Sequence, residues 1–285
     1  MPELPEVETV KNQLNKYIVG HTIKDVIINN QKIFEGNAKD IVGGKINSVQ
    51  RFGKVLVINL DNDYSVVSHI KLTGQFIYRG PNLLNPDNLS KKVTGGIGGI
   101  HTHVIFELDK NGFLYYNDVR RFGWIKIVKT QNVLEFPFIK KLGPEPFGKL
   151  DLETFKTIIQ KTTRPIKVVL MDQEKIGGIG NIYANDALWD SKIHPSRKSN
   201  SLSNDESKNL YESILKVLQK GIDSGGASEL AFVTPDGAEG QYQFHTLVYD
   251  ETGKLCRRCK KEKIVKYALA GRGTYFCPNC QNEKI

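Results

Sequence analysis

The spacing of the cysteines constrains this chain more than any other sequence feature. All four lie near its C-terminal end as two Cys-x2-Cys pairs separated by 17 residues, namely Cys256 with Cys259 and Cys277 with Cys280. Two residues between thiols let both sulfurs of a turn reach one ion, and two such turns complete a tetrahedron. Two disulfides are the alternative, which a chain without an export signal would not keep in a reducing cytosol. We therefore predict one structural Zn²⁺ and no catalytic cysteine.

The segment that contains these cysteines is strongly basic. Residues 254–285 hold nine Lys and Arg against two Glu, in a chain with a formal net charge of +9. Such a block indicates a polyanionic partner, most often nucleic acid, although a solvated tail is the simpler alternative. The segment is too short to build its own core, so the metal must order it. Alternating residues at 263–268 and 274–276 predict a β-hairpin between the cysteine pairs.

The rest of the chain divides into a strand-rich half and a helical half. Residues 5–19 have helical spacing, and β-branched strands are predicted at 22–29, 46–60, 63–79, 101–108, 112–118 and 122–128. These indicate a sandwich or a barrel. After a linker at 143–146, helices are predicted at 151–161, 165–172 and 181–191, and Ser203 with Glu206 makes a capping box for another. Residues 227–243 are predicted to be a mobile loop, and no apolar run could span a membrane.

The first residues carry a candidate nucleophile. A small second residue such as Pro2 permits removal of Met1, which exposes a secondary amine. An α-amino group titrates near 8, so part of it is neutral and nucleophilic at neutral pH and can attack an aldehyde-like carbon. Glu3 and Glu6 are candidate proton donors beside it. The alternative is that this segment is only an exposed leader of the first helix.

Five motifs, in order, resemble the formamidopyrimidine-DNA glycosylases, bacterial enzymes that remove oxidised purines from DNA. They are Pro-Glu-Leu-Pro-Glu-Val-Glu-Thr at 2–9, His-Ile-Lys-Leu-Thr-Gly at 69–74, Asp-Val-Arg-Arg-Phe-Gly at 118–123, Gly-Ile-Gly-Asn-Ile-Tyr-Ala at 178–184 with Ile-His-Pro at 193–195, and the terminal finger. Leu4 differs from the Gly of the endonuclease VIII branch, which prefers oxidised pyrimidines. The resemblance implies an α+β fold: residues 1–131 as an N-terminal β-sandwich catalytic domain with a leading helix, 132–150 as a linker, 151–253 as a helical helix–two-turn–helix domain, and 254–285 as a β-hairpin zinc finger.

The resemblance also implies catalytic roles. Pro2 would attack C1′ of the damaged nucleotide, Glu3 would protonate the opening sugar ring and Glu6 would support that site. Lys54 matches a lysine that touches the lesion and a phosphate, whereas the residues alone favour a solvated hairpin lysine. Arg272 matches a finger arginine assigned to the phosphate and to late elimination, and by itself it reads as a general phosphate contact.

A base inside a duplex must be turned out of the stack, and the resemblance implies which residues fill the hole. These are Leu72, Arg120 and Phe122, although core packing is the simpler interpretation of Phe122. Leu72 departs from the usual Met and is stiffer. Asn181 would hold a phosphate at a helix start, or be a plain cap. His69, His101, Lys161 and Lys167 are the remaining expected DNA contacts. Residues 227–233 lie where relatives cover the flipped purine, and they depart from the usual sequence.

These predictions combine into a DNA glycosylase with abasic-site lyase activity, acting through a Schiff base on the N-terminal proline. Its substrates would be oxidised purines, such as 8-oxoguanine and formamidopyrimidines, and abasic sites in duplex DNA. Two alternatives are a non-catalytic zinc-dependent protein that grips damaged DNA and an endonuclease VIII-like enzyme for oxidised pyrimidines. We expect a monomer in the cytoplasm, associated with the nucleoid and with no membrane partner.

Overall fold

The computed structural model describes residues 1–81, 83 and 89–282, and these form two compact units. Unit 1 consists of Met1–Lys140 and Gly221–Gln243, and unit 2 of Lys141–Lys220 with the chain from Phe244 onward. The last three residues of the predicted finger, 283–285, lie outside the described residues. Residues 221–243, which the sequence assigned to the helical domain, belong to unit 1, because hydrogen bonds to Glu6, Gln75 and Lys92 hold them there.

Unit 1 is a sandwich of two sheets with a leading helix, as the sequence predicts. The helices are α1 Leu4–Ile18 and α2 Pro137–Lys140, and the strands are β1 Ile23–Ile28, β2 Phe34–Glu35, β3 Ile46–Phe52, β4 Val55–Leu60, β5 Tyr64–His69, β6 Gly74–Arg79, β7 Thr102–Leu108, β8 Gly112–Asp118 and β9 Trp124–Lys129. One sheet has the order β1-β7-β8-β6 and the other β2-β9-β5-β4-β3. Side chains of both sheets, such as Phe76 and Ile125, share one core with Val10 and Leu14 of α1. Burial of such apolar surface is the main stabilising term of the unit.

Two predicted strands, 46–60 and 63–79, are each divided in two. The first reverses at Gly53, whose φ of 55° lies in the left-handed region that glycine adopts without strain. The second is interrupted at residues 70–73 between β5 and β6. These interruptions matter because they carry Lys54 and Leu72.

Unit 2 contains the helical segment and the finger. Its helices are α3 Leu152–Gln160, α4 Ile166–Met171 and α5 Asn181–Asp190, its strands are β10 Val265–Leu269 and β11 Arg272–Phe276, and helix α6 spans Asn204–Asp223. The predicted capping box is confirmed: the backbone N–H of Ser203 donates to Glu206 Oε2 at 2.9 Å, and that of Glu206 donates to Ser203 Oγ at 3.2 Å. The predicted hairpin is confirmed as β10 paired antiparallel with β11. None of the helices in the described residues is long and apolar enough to cross a bilayer.

Candidate active site and nucleic-acid interface

The predicted nucleophile lies at the buried start of α1. Pro2 is buried, and Glu3 and Glu6 are only 2% and 1% exposed. The two glutamates form a reciprocal capping box, in which the Glu3 backbone N–H donates to Glu6 Oε2 at 2.7 Å. Two carboxylates at the N-terminus of a helix are stabilised by its dipole and by these amide donors. The alternative of an exposed helix leader is therefore wrong for this segment.

Glu6 also connects the start of α1 to the 227–233 segment. The backbone N–H of Ala227 donates to Glu6 Oε1 at 2.7 Å, so the two carboxylate oxygens hold two different parts of the chain. The residue before Ala227 must be glycine, because a Cβ on Gly226 would lie 2.8 Å from Glu6 Cγ at a φ of +84°. The sequence predicted Glu6 as a supporting residue but did not identify this contact.

Lys54 lies in the β3–β4 turn and is 6% exposed, so it is not the solvated hairpin lysine of the simpler interpretation. Arg51 holds the β3–β4 turn in place. Its guanidinium donates to the carbonyl oxygen of Gly53 and to Glu8 Oε2, both at 2.8 Å. Burial alone would raise the pKa of Glu8, but hydrogen bonds and charges from Lys11 and Arg51 lower it. Glu8 therefore stays ionised and anchors Arg51 to α1.

His69 ends strand β5 and faces basic neighbours. Burial, then the charges of Lys71 and Lys54, lower its pKa to about 3. Its Nδ1 lies 3.0 Å from the backbone N–H of Lys71 and accepts from it, which leaves the proton of the neutral ring on Nε2. His69 is thus a neutral donor at physiological pH, not a cation, and its charge cannot contribute to phosphate binding.

Asp118 joins the two turns that carry the predicted hole-filling residues. It accepts from the hydroxyl of Thr73 and, at 2.8 Å, from the backbone N–H of Gly123. The backbone N–H of Arg120 donates to Thr73 Oγ1 at 3.0 Å. The turn containing Leu72 is thereby held against the turn containing Arg120.

The predicted hole-filling side chains differ in exposure but project from these two joined turns. Phe122 is 54% exposed, and the Arg120 guanidinium lies 4.8 Å from the centre of its ring. Phe122 is therefore not a core residue, and Leu72 is half-buried. Gly123, which follows Phe122, must be glycine, because a Cβ at this position would lie 1.9 Å from the Tyr116 hydroxyl oxygen. An exposed phenyl ring with a guanidinium beside it is suited to contact with bases.

The four cysteines of unit 2 converge as predicted. Their sulfurs lie within 4.8 Å of one another, with Cys256 and Cys280 at 3.8 Å and Cys259 and Cys277 at 3.6 Å. A tetrahedral ion with Zn–S bonds of about 2.3 Å requires sulfur separations of about 3.8 Å, whereas a disulfide requires about 2.05 Å. The donor set therefore fits one zinc ion, and the disulfide alternative is wrong.

The sulfurs do not all become thiolates without help. Backbone amides of Glu262 and Lys261 lower the pKa of Cys259 to about 6, whereas burial raises the pKa of Cys277 to about 12. A bound cation favours the thiolate form of all four sulfurs, and this couples metal binding to the order of the finger.

Lys167, predicted to contact DNA, has another role in the structure. It is 1% exposed, and its ammonium donates to the carbonyl oxygen of Gly273 at 2.7 Å and to Thr274 Oγ1 at 2.8 Å. Its charge is used inside unit 2, because a buried ammonium needs several acceptors. The prediction of a direct DNA contact is therefore corrected. Arg272, next to Gly273 in β11, is exposed.

Helix α5 contains two buried residues that the sequence analysis missed. Asp186 accepts the backbone N–H groups of residues 247, 248 and 249 at 3.0, 3.0 and 3.1 Å. Asn185 Oδ1 accepts the backbone N–H of Tyr275 at 2.9 Å, and its amide donates to the Asn181 backbone at 2.6 Å. Polar residues inside a helix that follows the Gly-Ile-Gly-Asn motif are the signal that could have indicated them. Asn185 connects the predicted phosphate-binding helix to the finger, and Asp186 connects it to residues 247–249, which precede the finger.

The other predicted DNA contacts lie at the surface or near it. Asn181 is the first residue of α5 and half-buried, and Lys161 is exposed at the end of α3. His101 is half-buried beside the glycine-rich loop, where its Nδ1 is buried without a hydrogen-bond partner in the described part of the chain. Pro2, Glu3, Glu6, Lys54 and His69 belong to unit 1, and Asn181, Arg272 and the cysteines to unit 2.

Comparison with known protein families matches the chain in three consecutive parts. Residues 1–125 match the formamidopyrimidine-DNA glycosylase N-terminal domain and residues 142–232 the formamidopyrimidine-DNA glycosylase H2TH domain. Residues 253–282 match a zinc finger found in FPG and IleRS.

Individual relatives match over the full length. The formamidopyrimidine-DNA glycosylase of Heliobacterium modesticaldum is 38% identical, covering 99% of this chain and all of that protein. That of Enterococcus faecalis is 37% identical, covering this whole chain and 98% of that protein. Two structures of Lactococcus lactis Fpg, with DNA containing N7-benzyl-Fapy-dG and with oxidised-pyrimidine DNA, are 34% identical, with TM-scores of 0.87 and 0.86 over 99% of this chain and all of theirs.

Proposed function

The chain belongs to the formamidopyrimidine-DNA glycosylase family, and on this premise we propose that it is a base-excision DNA glycosylase with abasic-site lyase activity. Its proposed substrates are oxidised purines in duplex DNA. The observation that carries the proposal is the buried start of α1, where Pro2 lies beside two glutamates in a reciprocal capping box.

The proposed chemistry begins at the nitrogen of Pro2 after Met1 has been removed. This amine attacks C1′ of the damaged nucleotide, and the new N–C1′ bond forms as the bond from C1′ to the base breaks. The base leaves with the bonding electrons and takes up a proton, and the attacking nitrogen gives up its N–H proton. Glu3 gives a proton to the ring oxygen of the sugar, whose opening leaves an iminium on C1′. The Glu3 side chain accepts a hydrogen bond from the backbone N–H of Glu6, and this contact orients the Glu3 carboxyl group for the transfer.

Strand cleavage follows from the same iminium. It acidifies the hydrogen on C2′, and loss of that proton breaks the C3′–O3′ bond in β-elimination. A second, δ-elimination breaks the C5′–O5′ bond, and hydrolysis then returns the free amine of Pro2. We assign Lys54 and Arg272 to the phosphates and the developing charge at these steps, because each is a cation on a tight β-hairpin.

The remaining proposed residues hold the DNA. Leu72, Arg120 and Phe122 would fill the space that the everted nucleotide leaves, and Asn181 with the first turn of α5 would hold a phosphate. Lys161 and His101 are proposed backbone contacts, and neutral His69 would donate a hydrogen bond from Nε2. The zinc ion would keep the β10–β11 hairpin ordered, with no part in the chemistry. The protein would act on chromosomal DNA in the cytoplasm, in association with the nucleoid.

Borohydride reduction tests the catalytic proposal, because it converts the iminium into a stable link between protein and DNA. We expect a covalent complex on a duplex that contains 8-oxoguanine, and a much smaller trapped fraction for Pro2→Gly. Pro137→Ala, an exposed proline of unit 1, is the matched control and should trap normally. Intact mass establishes whether Met1 is absent, and trapping by an N-terminally blocked form to the same extent would overturn the role of Pro2.

Preference for oxidised pyrimidines is a second candidate within the same class. It is favoured by the complex of the Lactococcus lactis relative with oxidised-pyrimidine DNA and by the divergent 227–233 segment. Single-turnover excision from matched duplexes that contain 8-oxoguanine or thymine glycol separates the two. Faster release of the pyrimidine would reverse the proposed preference.

A further inference from the structure

Two loops of unit 1 are joined by an ion pair. We call residues 89–99 the latch loop and residues 227–240 the covering segment. Lys92 of the latch loop donates to Glu239 Oε2 at 2.7 Å and also to the backbone carbonyl of Ser228. Ser90 Oγ donates to Glu239 Oε1 at 2.6 Å. These hydrogen bonds lower the pKa of Glu239, so it remains the charged partner of Lys92 near neutral pH.

A buried amide makes the second connection between the same two loops. Gln75 of strand β6 is 2% exposed. Its amide nitrogen donates to the carbonyl oxygen of Lys92 at 2.7 Å and to the carbonyl oxygen of Ala231. Its carbonyl oxygen accepts from the N–H and the hydroxyl of Thr94, both at 3.2 Å. All the hydrogen-bonding capacity of Gln75 is thus used to hold the latch loop and the covering segment together.

The fixed carbonyl groups of the covering segment flank, along the chain, a residue with an exposed apolar side chain. The carbonyl groups of Ser228 and Ala231 are fixed by Lys92 and Gln75, while Leu230 between them is 63% exposed. At its start the covering segment donates from Ala227 to Glu6, the carboxylate that also accepts from Glu3. The segment is therefore connected to the catalytic glutamates at one end and held by the latch loop beyond it.

We propose that Gln75, Lys92 and Glu239 are positioning residues for base excision, which hold the covering segment so that Leu230 lies against the everted base. This inference rests on the function proposed above. The contacts to Ser228 and Ala231 are made to backbone carbonyls, so they hold this part of the segment whatever the divergent side chains of residues 227–233 are. Because a substrate without a base offers nothing for Leu230 to contact, the residues should matter for base release and not for cleavage at a preformed abasic site.

The test compares those two reactions under single-turnover conditions. We expect Lys92→Met, Glu239→Gln, Gln75→Ala and Leu230→Ala each to release 8-oxoguanine about tenfold more slowly, which corresponds to about 1.4 kcal/mol of activation free energy. Cleavage at an abasic site should stay within about twofold of normal. Glu35→Gln is the matched control, because it removes another carboxylate of unit 1 paired with a lysine, Lys126 at 2.6 Å, outside the latch. Lys92→Arg, which keeps the ion pair, should recover most of the rate.

Two further measurements keep the inference separate from folding and from the proposed function. Amide hydrogen exchange across 227–240 should rise in the latch variants and not in Glu35→Gln, and the double variant Lys92→Met/Glu239→Gln should be less impaired than the product of the single effects. Normal base release, or equal loss on both substrates, overturns the latch. If the unaltered protein processes neither substrate, the proposed function fails instead.

Discussion

The ammonium nitrogen of Lys167 lies 2.7 Å from the carbonyl oxygen of Gly273, the residue that follows Arg272 in strand β11. The same nitrogen donates to Thr274 Oγ1, so one buried lysine of α4 contacts both residues that follow Arg272. Arg272 is exposed and must present its guanidinium in a defined direction if it is to meet a phosphate. We therefore expect Lys167 to affect the proposed reaction only through the position of the hairpin.

Replacing Lys167 by methionine should destabilise unit 2. The substitution keeps the length of the side chain but leaves two buried acceptors unsatisfied, which costs about 2–3 kcal/mol of unfolding free energy. Chemical unfolding measures this loss, and Lys208→Met, an exposed lysine of α6, should change it by less than about 0.5 kcal/mol. Strand cleavage by Lys167→Met should also be slower than normal, as it should be for Arg272→Ala. A fully stable Lys167→Met protein would show that the ammonium contacts are dispensable.

Arg51 should act through the turn that carries Lys54. Arg51→Lys keeps the charge but cannot reach both Glu8 and the carbonyl oxygen of Gly53, because lysine lacks the planar fork of donors. We expect base release to slow several-fold, by about 1 kcal/mol of activation free energy. In a Lys54→Ala background, the Arg51 substitution should have no added effect on the rate. Additive losses would mean that Arg51 acts elsewhere.

His69 should make stability sensitive to acid. Its pKa is about 3 in the folded protein against an ordinary value of 6.5, so the unfolded chain binds the proton more readily. The stabilising contribution is complete above about pH 6.5 and is lost as the pH falls toward about 3. Between about pH 7 and pH 5, the melting temperature of the unaltered protein should therefore fall more than that of His69→Gln. Parallel melting curves would contradict a neutral, buried ring.

Removal of zinc should unfold the finger. A colorimetric zinc assay on protein denatured with a thiol reagent should find one ion per chain, and Cys256→Ser should reduce this to nearly none. Because the hairpin has little core of its own, its amides should then exchange freely and affinity for duplex DNA should fall. Adding a chelator to the unaltered protein should have the same effect, reversed by zinc and not by magnesium. Retained affinity without metal would separate the finger from DNA binding.

Phe122 should matter for DNA and hardly for folding. With 54% of its surface exposed, truncation to alanine should cost less than about 1 kcal/mol of unfolding free energy. Stacking of an aromatic ring on a base is worth about 1–3 kcal/mol, so affinity for a lesion-containing duplex should fall about tenfold or more. Leu134→Ala, an exposed apolar residue of unit 1, is the control for surface truncation. A large loss of stability without a loss of affinity would instead indicate that Phe122 acts as a core residue.

The elements that sequence predicted well are those with local signals. The first helix has apolar residues at helical spacing, α6 begins at a capping box, and two Cys-x2-Cys pairs flank an alternating hairpin. Each signal needs only neighbouring residues and general propensities, so it survives in any tertiary context. The division of the predicted strand 46–60 at Gly53 was missed, because a tight reversal can look like one continuous apolar strand.

The sequence by itself determined the α+β architecture, the zinc ligand set and the placement of Pro2 with two glutamates at the start of the first helix. Tertiary structure alone decided that Lys167 is internal, that Phe122 is exposed and that residues 221–243 join the sandwich. The reason is physical: whether a cation or an aromatic ring is buried depends on partners distant in the chain. Gln75 and Ala231 are 156 positions apart, and no local pattern predicts that they meet.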